Sequence, residues 1–450
     1  MREQRIKVEP FEFLDILQCR GRICADHHGY LFIKGHIYQT NEKEYLDLLT
    51  KETWVSVKVF DENAECTVLF VGLITEGTIT VEDELMTLDI TIKSGSFLMD
   101  LEEHMRTFQN SGMTYDKVLD ILLDGYFSNG YIWGTCERGK IGRLFCQYGE
   151  TDWQFIKRLG SNCGVSVFPN YTSIGVKVYC GLPCGQYQGI IKPTEYNIRQ
   201  TIEGIFYSFS SREVFNIGDT ITFLGKKCHI ISRETILKAS ELIHIYELIE
   251  NVMPIHKTIY NENLTGVSLT ATITCVKGSN VMVAIEEDEN KGYCGSKWFP
   301  YATVYSSVDG TGWYCMPEEG DMVRVYFPSN REDEAYVLHS VHMDSTNIEE
   351  RINPDYKSFM NKQGKELLFK PDSILMTNNN GMSIELSDEE GISIISDKSV
   401  TIQSDQEVEI TSLNARVDIL ATDQIALKQG DTKMILSDKL SMRGAKIRLD

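Results

Sequence analysis

The sequence predicts a mainly β protein with two strand-rich segments, a small β-barrel and a β-helix at the C-terminal end. Three observations support this fold class. Apolar and polar residues alternate through much of residues 1–110 and 164–250, as they do on half-buried strands. Residues 266–343 hold further short strands in a stretch the length of one small barrel. After residue 382, apolar pairs separated by a single polar residue punctuate the chain.

These apolar pairs give the most specific prediction. Residues two apart lie on the same side of a strand, so each pair marks a short strand that faces a core. The first four pairs recur every eight residues, with polar corners between them. The predicted core residues of the β-helix are Ile384, Leu386, Ile392, Ile394, Val400, Ile402, Val408, Ile410, Val417, Ile419, Ile425, Leu427, Met434, Leu436, Leu440, Met442, Ile447 and Leu449.

The energetics of these repeats favour three chains over one. Two buried side chains per repeat contribute roughly 1.5–3 kcal/mol each, whereas ordering each residue costs about 1–2 kcal/mol. Three repeats per triangular turn would give one chain fewer than about three layers, close to the minimum for a repeat array. Three intertwined chains would instead build about nine layers over roughly 40 Å. We therefore predict a homotrimer; the alternative is an ordinary meander with a turn after each repeat.

Composition narrows the class of function. The net charge of −21 argues against nucleic acid as a partner, because neutralising phosphates needs a basic surface. No stretch reaches the roughly 18 apolar residues of a membrane span, and the first residues lack the apolar core of a signal peptide. We expect synthesis and assembly in the cytoplasm without a signal peptide. In that compartment the twelve cysteines are predicted to be buried, reduced thiols.

A helical interlude separates the two strand-rich segments. Thr114 can cap one helix, and Thr151 with Gln154 forms a capping box that starts another. A shorter helix is predicted over residues 42–50. The presence of strands on both sides of the interlude indicates a duplicated barrel.

The small barrel follows a joint near Pro254. Val323, Val325 and Phe327 share one face of a strand that Pro328 ends, and the size fits an OB-type fold. The predicted domains are residues 1–255 with two barrels and the helical interlude at 112–163, residues 256–345 with the OB fold, residues 346–381 as linker and neck, and residues 382–450 as the β-helix.

Three segments of the chain resemble a known family. The first is Gln147-Tyr148-x-Glu150-Thr151-Asp152-x-x-Phe155-x-x-Arg158-Leu159, and the second is Trp313-x-x-Met316-Pro317-Glu318-x-Gly320-Asp321-x-Val323-x-Val325-x-Phe327. The third is the series of C-terminal pairs. Together they resemble the hub-and-spike proteins of contractile injection systems: the valine-glycine repeat protein G (VgrG) of type VI secretion, the late-control D protein of phage tails, and their fused equivalents in phage-tail-like bacteriocins. The match spans essentially the whole chain in the family's domain order.

The resemblance implies a homotrimer whose two related barrels per chain give a pseudo-sixfold ring. Such a ring docks a hexameric tail tube protein, baseplate proteins surround it, and an OB domain leads into an intertwined triple-stranded β-helix that contacts the target envelope transiently. No histidine follows His342 to build the iron-holding tip of some relatives. A separate PAAR-like tip protein is therefore the expected partner of the C-terminal residues Lys446, Ile447, Arg448, Leu449 and Asp450.

The residues that could act as catalytic groups or metal ligands form no recognised catalytic or metal-binding motif in the sequence. Glu150 and Asp152 are interpreted as ordinary residues at a helix start. His27 and His28 would point to opposite faces of a strand, and one Cys180-x-x-x-Cys184 spacing is a weak zinc signal. We expect no catalytic residue, cofactor or resident metal.

The charge of the β-helix changes sign along the chain. Acidic residues dominate between Ile384 and Asp423, and basic residues dominate afterwards. The basic positions are Lys428, Lys433, Lys439, Arg443, Lys446 and Arg448. They suggest recruitment of a tip protein or approach to an anionic envelope; the alternative is an outward face that only keeps the protein in solution.

The leading functional hypothesis is a structural, non-enzymatic spike driven through an envelope by sheath contraction. Two alternatives come from other classes: a β-helical enzyme that degrades polysaccharide or cell wall, and a receptor-binding tail fibre. The stretch between Met343 and the first repeat is too short for an inserted enzyme domain. Short corners between repeats leave no active-site loops, and we expect no recognition domain after the last pair.

Overall fold

The computed structural model describes residues 5–60, 65–82, 85–134, 139–202, 204–250, 257–291, 296–340 and 353–436. The chain divides into two compact units, residues 1–343 and residues 344–450. The finer domain boundaries stay predictions.

The first strand-rich segment forms a six-stranded repeat. Its strands lie in the order β1-β4-β5-β6-β3-β2, and α1 follows β3 in the chain. Alternating burial along β3, β4 and β6 places their apolar residues in the core, as the sequence pattern predicted. The elements are β1 (Arg5–Glu9), β2 (Phe13–Ile23), β3 (Tyr30–Ile37), α1 (Glu42–Leu49), β4 (Trp54–Phe60), β5 (Cys66–Glu82) and β6 (Leu85–Lys93).

The helical interlude is a mixed α/β module rather than a helical one. Both predicted caps are confirmed: the Thr114 side chain accepts from the Lys117 amide, and Thr151 with Gln154 forms a complete capping box. Two helices and five short strands pack around one apolar core; β8, β10 and β11 form one sheet, and β7 pairs with β9. The elements are β7 (Glu103–Phe108), α2 (Tyr115–Leu123), β8 (Gly130–Trp133), β9 (Phe145–Thr151), α3 (Asp152–Asn162), β10 (Val167–Pro169) and β11 (Lys177–Cys180).

The second strand-rich segment repeats the strand order of the first, which supports the predicted duplication, although β12 runs parallel to β15 whereas β1 runs antiparallel to β4. Its order, β12-β15-β16-β17-β14-β13, is the first order with each strand replaced by its counterpart. The two repeats do not form separate sheets, because β2 pairs with β16 and one core spans both. The elements are β12 (Tyr187–Ile191), β13 (Tyr196–Thr201), β14 (Gly204–Ser211), β15 (Thr220–Phe223), β16 (Lys226–Lys238) and β17 (Glu241–Ile249).

The small all-β domain has its own core and sheet. Its five strands are antiparallel neighbours in the order β20-β19-β18-β21-β22. Val323, Val325 and Phe327 are fully buried, so the predicted inward face is confirmed. The elements are β18 (Ser268–Lys277), β19 (Asn280–Ile285), β20 (Phe299–Pro300), β21 (Met322–Tyr326) and β22 (Tyr336–Ser340).

The second unit contains a five-stranded antiparallel meander and a separate hairpin. Within one chain, residues 357–396 thus adopt the meander that was the alternative to the β-helix, because a lone chain can pair only with its own neighbouring segments. The intertwined β-helix stays a prediction. The elements are β23 (Lys357–Met360), β24 (Glu366–Phe369), β25 (Ser373–Thr377), β26 (Met382–Ser387), β27 (Gly391–Ser396), β28 (Ile425–Gln429) and β29 (Thr432–Leu436).

Candidate functional site

Strand β9 connects the core of the interlude to the core of the OB-type domain. Phe145 packs in the interlude, whereas its neighbours Leu144 and Cys146 pack in the OB core with residues such as Ile273 and Val325. Alternate residues of a strand point to opposite faces, so one short strand serves both cores. Neighbouring residues of one short segment therefore contribute to the separate cores of both domains.

Arg158 is the centre of a buried ionic cluster at this joint. Its Nε and Nη2 donate to Glu150 at 2.9 and 2.7 Å, and Nη2 also donates to the Cys146 carbonyl at 2.9 Å. Its Nη1 donates to Glu332, which belongs to the OB-type domain. The Arg158 side chain is fully buried, and Glu332 is almost so. Hydrogen bonds on both sides of the planar guanidinium therefore hold it in one orientation.

The cluster holds two carboxylates for one guanidinium. Burial raises the pKa of Glu150, and the negative charge of Glu332 acts in the same direction while Arg158 opposes it. Burial alone would lower the pKa of Arg158, but the two carboxylates overcome that effect and raise it. Among the described residues, Glu332 Oε2 has no hydrogen-bond partner. Removing the one cation would leave two buried anions with little compensation.

A second ionic cluster lies beside the first. Asp152, at the first turn of α3, accepts from Arg106 Nη1 at 2.6 Å, Gln147 Nε2 at 2.9 Å and the Tyr126 hydroxyl at 2.9 Å. Arg106 Nε also donates to Glu289 of the OB-type domain at 3.0 Å. The charge of Asp152 suits the N-terminal end of a helix. Strand β7, helix α3 and the OB-type domain are thus linked through Arg106.

Asp288 makes a third connection. This fully buried carboxylate accepts from the Thr107 amide at 2.9 Å and from the Thr107 hydroxyl. It also accepts from the Asn290 amide at 2.8 Å, and the Glu289 amide donates to the Met105 carbonyl at 2.9 Å. Buried carboxylates with several donors hold their loop in one conformation. The arrangement favours a stiff joint between the two domains.

The predicted core residues of the C-terminal unit fall into three groups. Ile384 and Leu386 on β26 lie opposite Ile394 and Ile392 on β27. Cross-strand partners project to the same face of a sheet, and the ladders extend that face across all five strands. Its apolar members are Phe359, Leu367, Phe369, Ile374, Met376, Met382, Ile384, Leu386, Ile392 and Ile394.

This apolar face is exposed in the single chain. Ile392 exposes 74% of its surface and Ile394 exposes 59%. The opposite face carries mainly polar residues such as Glu385 and Ser393. A contiguous, exposed apolar face that extends across five strands marks an interaction surface.

The middle repeats have the pattern of strands without the pairing. No strand is assigned anywhere in residues 397–424, all of which the structure describes. The apolar residues of this stretch are at least half exposed: Val400, Ile402, Val408, Ile410, Val417 and Ile419. Strand-forming residues in this state lack both ladder partners and a core.

The last repeats are only partly described. Ile425 lies opposite Leu436 and Leu427 opposite Met434 in the β28–β29 hairpin. The remaining predicted residues lie outside the described part of the chain: Leu440, Met442, Ile447 and Leu449 of the core, and Lys446, Arg448 and Asp450 of the tip-binding end.

The other residues considered as metal ligands are His27, His28 and the cysteines. His28 hydrogen bonds to Ser96 at 2.9 Å and Asp100 at 3.2 Å, and burial lowers its pKa, whereas His27 is exposed. None of the ten described cysteines forms a disulfide. The described residues contain no group of His, Cys, Asp or Glu arranged to hold a metal ion. Nor, in the same residues, is there a helix of the length and apolarity that crossing a membrane requires.

The first unit thus combines a duplicated sheet with an OB-type barrel that is tied to the interlude, and the second unit carries a repetitive apolar series. Residues 276–342 match the model of the type VI secretion system/phage-baseplate injector OB domain. This match covers most of the small barrel that the sequence predicted, from the end of β18 through β22.

Two solved structures share most of the fold. One is the E. coli c3393 protein, a type VI secretion component similar to the T4 bacteriophage tail proteins gp27 and gp5, with 13% identity, a TM-score of 0.54, and coverage of 75% of this chain and all of that one. The other is the Francisella PdpA-VgrG complex, with 11% identity, a TM-score of 0.56, and coverage of 88% of each chain. No curated protein sequence matches. The family match identifies an injector-type OB domain at residues 276–342, and the two solved structures share the fold of this chain.

Proposed function

We propose that this chain is the structural hub and spike of a contractile injection system. Its duplicated sheet would receive the hexameric tail tube, and its C-terminal unit would form the needle that leads to the membrane-piercing tip. The observation that carries the proposal is the long exposed apolar series after residue 357, attached to a domain series of the hub-and-spike type. The injection-system OB match and the two solved folds support it.

The needle is formed by three copies of the chain. Two further copies would cover the apolar face of β23–β27 and give residues 397–424 the ladder partners that they lack in one chain. Burying each isoleucine contributes roughly 1.5–3 kcal/mol, and every core residue is buried three times in a trimer. Predicted core residues beyond Leu436 would extend the same needle.

The protein acts mechanically rather than as an enzyme. The acidic residues of the α3 motif are engaged: Glu150 binds Arg158, and Asp152 binds Arg106. These pairs stiffen the joint through which thrust from the tube would pass to the OB-type domain. The energy of penetration would come from the sheath, so the task of this chain is to resist unfolding.

Partners follow from this role. A hexameric tube protein and baseplate proteins would bind the duplicated sheet, and a PAAR-like tip protein would bind residues 446–450. The particle would assemble in the cytoplasm and reach the target envelope on firing or release.

Electron microscopy of tubes tests the proposal. We expect the purified protein, mixed with a cognate tail tube protein, to cap one end of each tube with a tapered density. A variant shortened to residues 1–343 serves as the control, and its mixtures should show no tapered density at tube ends. Protein bound along the tube wall, or absent from tube ends, would contradict the proposed role.

A further inference from the structure

The β5–β6 and β16–β17 hairpins of the two repeats match in register as well as in their place in the strand order. Leu73 pairs with Lys93 and Glu82 with Leu85 in the β5–β6 hairpin. His229 pairs with Ile249 and Lys238 with Glu241 in the β16–β17 hairpin, with the same spacing along both strands. Each hairpin has its bulge at the same place, between residues 74 and 76 in one and between 230 and 232 in the other. Residues 77–80 of β5 are therefore the counterparts of residues 233–236 of β16.

Strands β5 and β16 differ in the strands that pair with the edge facing away from β6 and β17. The edge of β16 that faces away from β17 pairs with β15 and then, through residues 233–236, with residues 20–23 of β2. The same edge of β5 pairs with β4 as far as Leu73. Beyond that point, no described strand pairs with this edge at residues 77–80. The edge position that β2 occupies in the second repeat holds no described strand in the first, where Leu49 of α1 packs against Gly77.

Strand β13 is the counterpart of β2 and could pair with residues 77–80 of β5. Cys19 and Arg22 of β2 pair with Ile33 and Tyr30 of β3, and Tyr196 and Arg199 of β13 pair with Phe209 and Phe206 of β14 in the same relation. Residues 197–200 of β13 are thus the counterparts of residues 20–23 of β2. Strand β13 ends the sheet, and Ile198 exposes 57% of its surface.

We propose that β13 of one copy pairs antiparallel with β5 of the next copy. Transferring the register of the β2–β16 joint places four residue pairs opposite each other: Gly77 with Gln200, Thr78 with Arg199, Ile79 with Ile198, and Thr80 with Asn197 of the second copy. This inference rests on the proposed function, because it needs more than one copy of the chain.

Two physical arguments favour this pairing. Open edges present unpaired backbone groups and are prone to indiscriminate association, so natural proteins cover them. Ile79 is only partly buried, and Ile198 opposite it would remove further apolar surface from water. The contact is head-to-tail, because each copy contributes a different strand, β5 on one side and β13 on the other. Such contacts form a closed ring when the rotation between copies permits. Three copies would place six repeats around that ring.

Disulfide cross-linking tests the register. In the Thr80→Cys/Asn197→Cys variant, the two Cα atoms should fall within the about 4.4–6.8 Å that a disulfide spans. A second pair, Thr78→Cys/Arg199→Cys, tests the same register independently. The matched control is Glu76→Cys/Asn197→Cys, displaced by four residues, or about 13 Å. Each variant is oxidised, denatured and run on reducing and non-reducing gels, beside its single-cysteine variants, and its native mass is measured by light scattering.

We expect bands of two and three linked copies in the first two variants, lost on reduction, and single copies in the controls. Native trimers that do not cross-link, or that cross-link equally in the displaced control, would overturn the proposed pairing and leave the trimeric spike standing. A monomeric native mass would overturn both proposals.

Discussion

Replacing Arg158 by alanine is expected to lower the free energy of unfolding of the first unit by about 3–5 kcal/mol. The reason is that Glu150 and Glu332 would stay buried without their shared cation. The loss should appear as a lower midpoint of chemical denaturation, followed by tryptophan fluorescence of Trp153, which lies on the same helix as Arg158. The joint between the two domains is the expected first point of unfolding.

The destabilisation should depend on pH. Without Arg158, the pKa of Glu150 in the folded protein rises further above its value in the unfolded chain, because burial and Glu332 already raise it. A raised carboxyl pKa favours folding below the unfolded value and loses that contribution as pH rises through the folded value. The Arg158→Ala variant should therefore be weakened more at pH 8 than at pH 5.

Two further variants control this experiment. The double variant Arg158→Ala/Glu332→Gln removes one buried anion and should recover part of the lost stability. Arg416→Ala removes an exposed arginine paired with Asp418 and should leave the stability of the first unit unchanged. Equal losses for Arg158→Ala and Arg416→Ala would contradict the role of the buried cluster.

The double variant Ile392→Asp/Ile394→Asp is expected to abolish the trimer. In the proposed needle, six carboxylates per trimer would be forced into an apolar core, each at a cost of several kcal/mol. Subunit association would also lose the roughly 1.5–3 kcal/mol that each buried isoleucine contributes. Light scattering should show a shift from trimer to monomer, while the circular dichroism of the first unit stays native.

Ser393→Asp is the matched control, because residue 393 lies between the two isoleucines but projects from the opposite face of β27. It should remain trimeric. Dissociation of this control to the same extent as the double variant would show that added charge, rather than the apolar face, caused the loss.

The features that the sequence predicts correctly depend on signals between neighbouring residues. The caps of α2 and α3 depend on residues three apart, and the strands of the sheet follow an alternation visible within a few residues. The Val323, Val325 and Phe327 face was predicted for the same reason. Each of these features depends on neighbouring residues, which one sequence displays directly.

The ionic joint was missed because its partners are distant in sequence. Glu150 and Arg158 stood in one motif, but Glu332 lies far along the chain, and nothing local marks it as the second partner of Arg158. The interlude was predicted as helical because its caps outweighed the short strands β8 and β9. The joining of both repeats in one sheet likewise depended on the long-range β2–β16 pairing.

The native mass of the purified chain in solution tests the central claim most directly. One chain has a mass of 51.3 kDa. Light scattering should give about three times that value, and a trimer band should resist detergent without heating, because an intertwined needle cannot dissociate without unfolding. A monomeric mass across the micromolar range would contradict the three-chain spike.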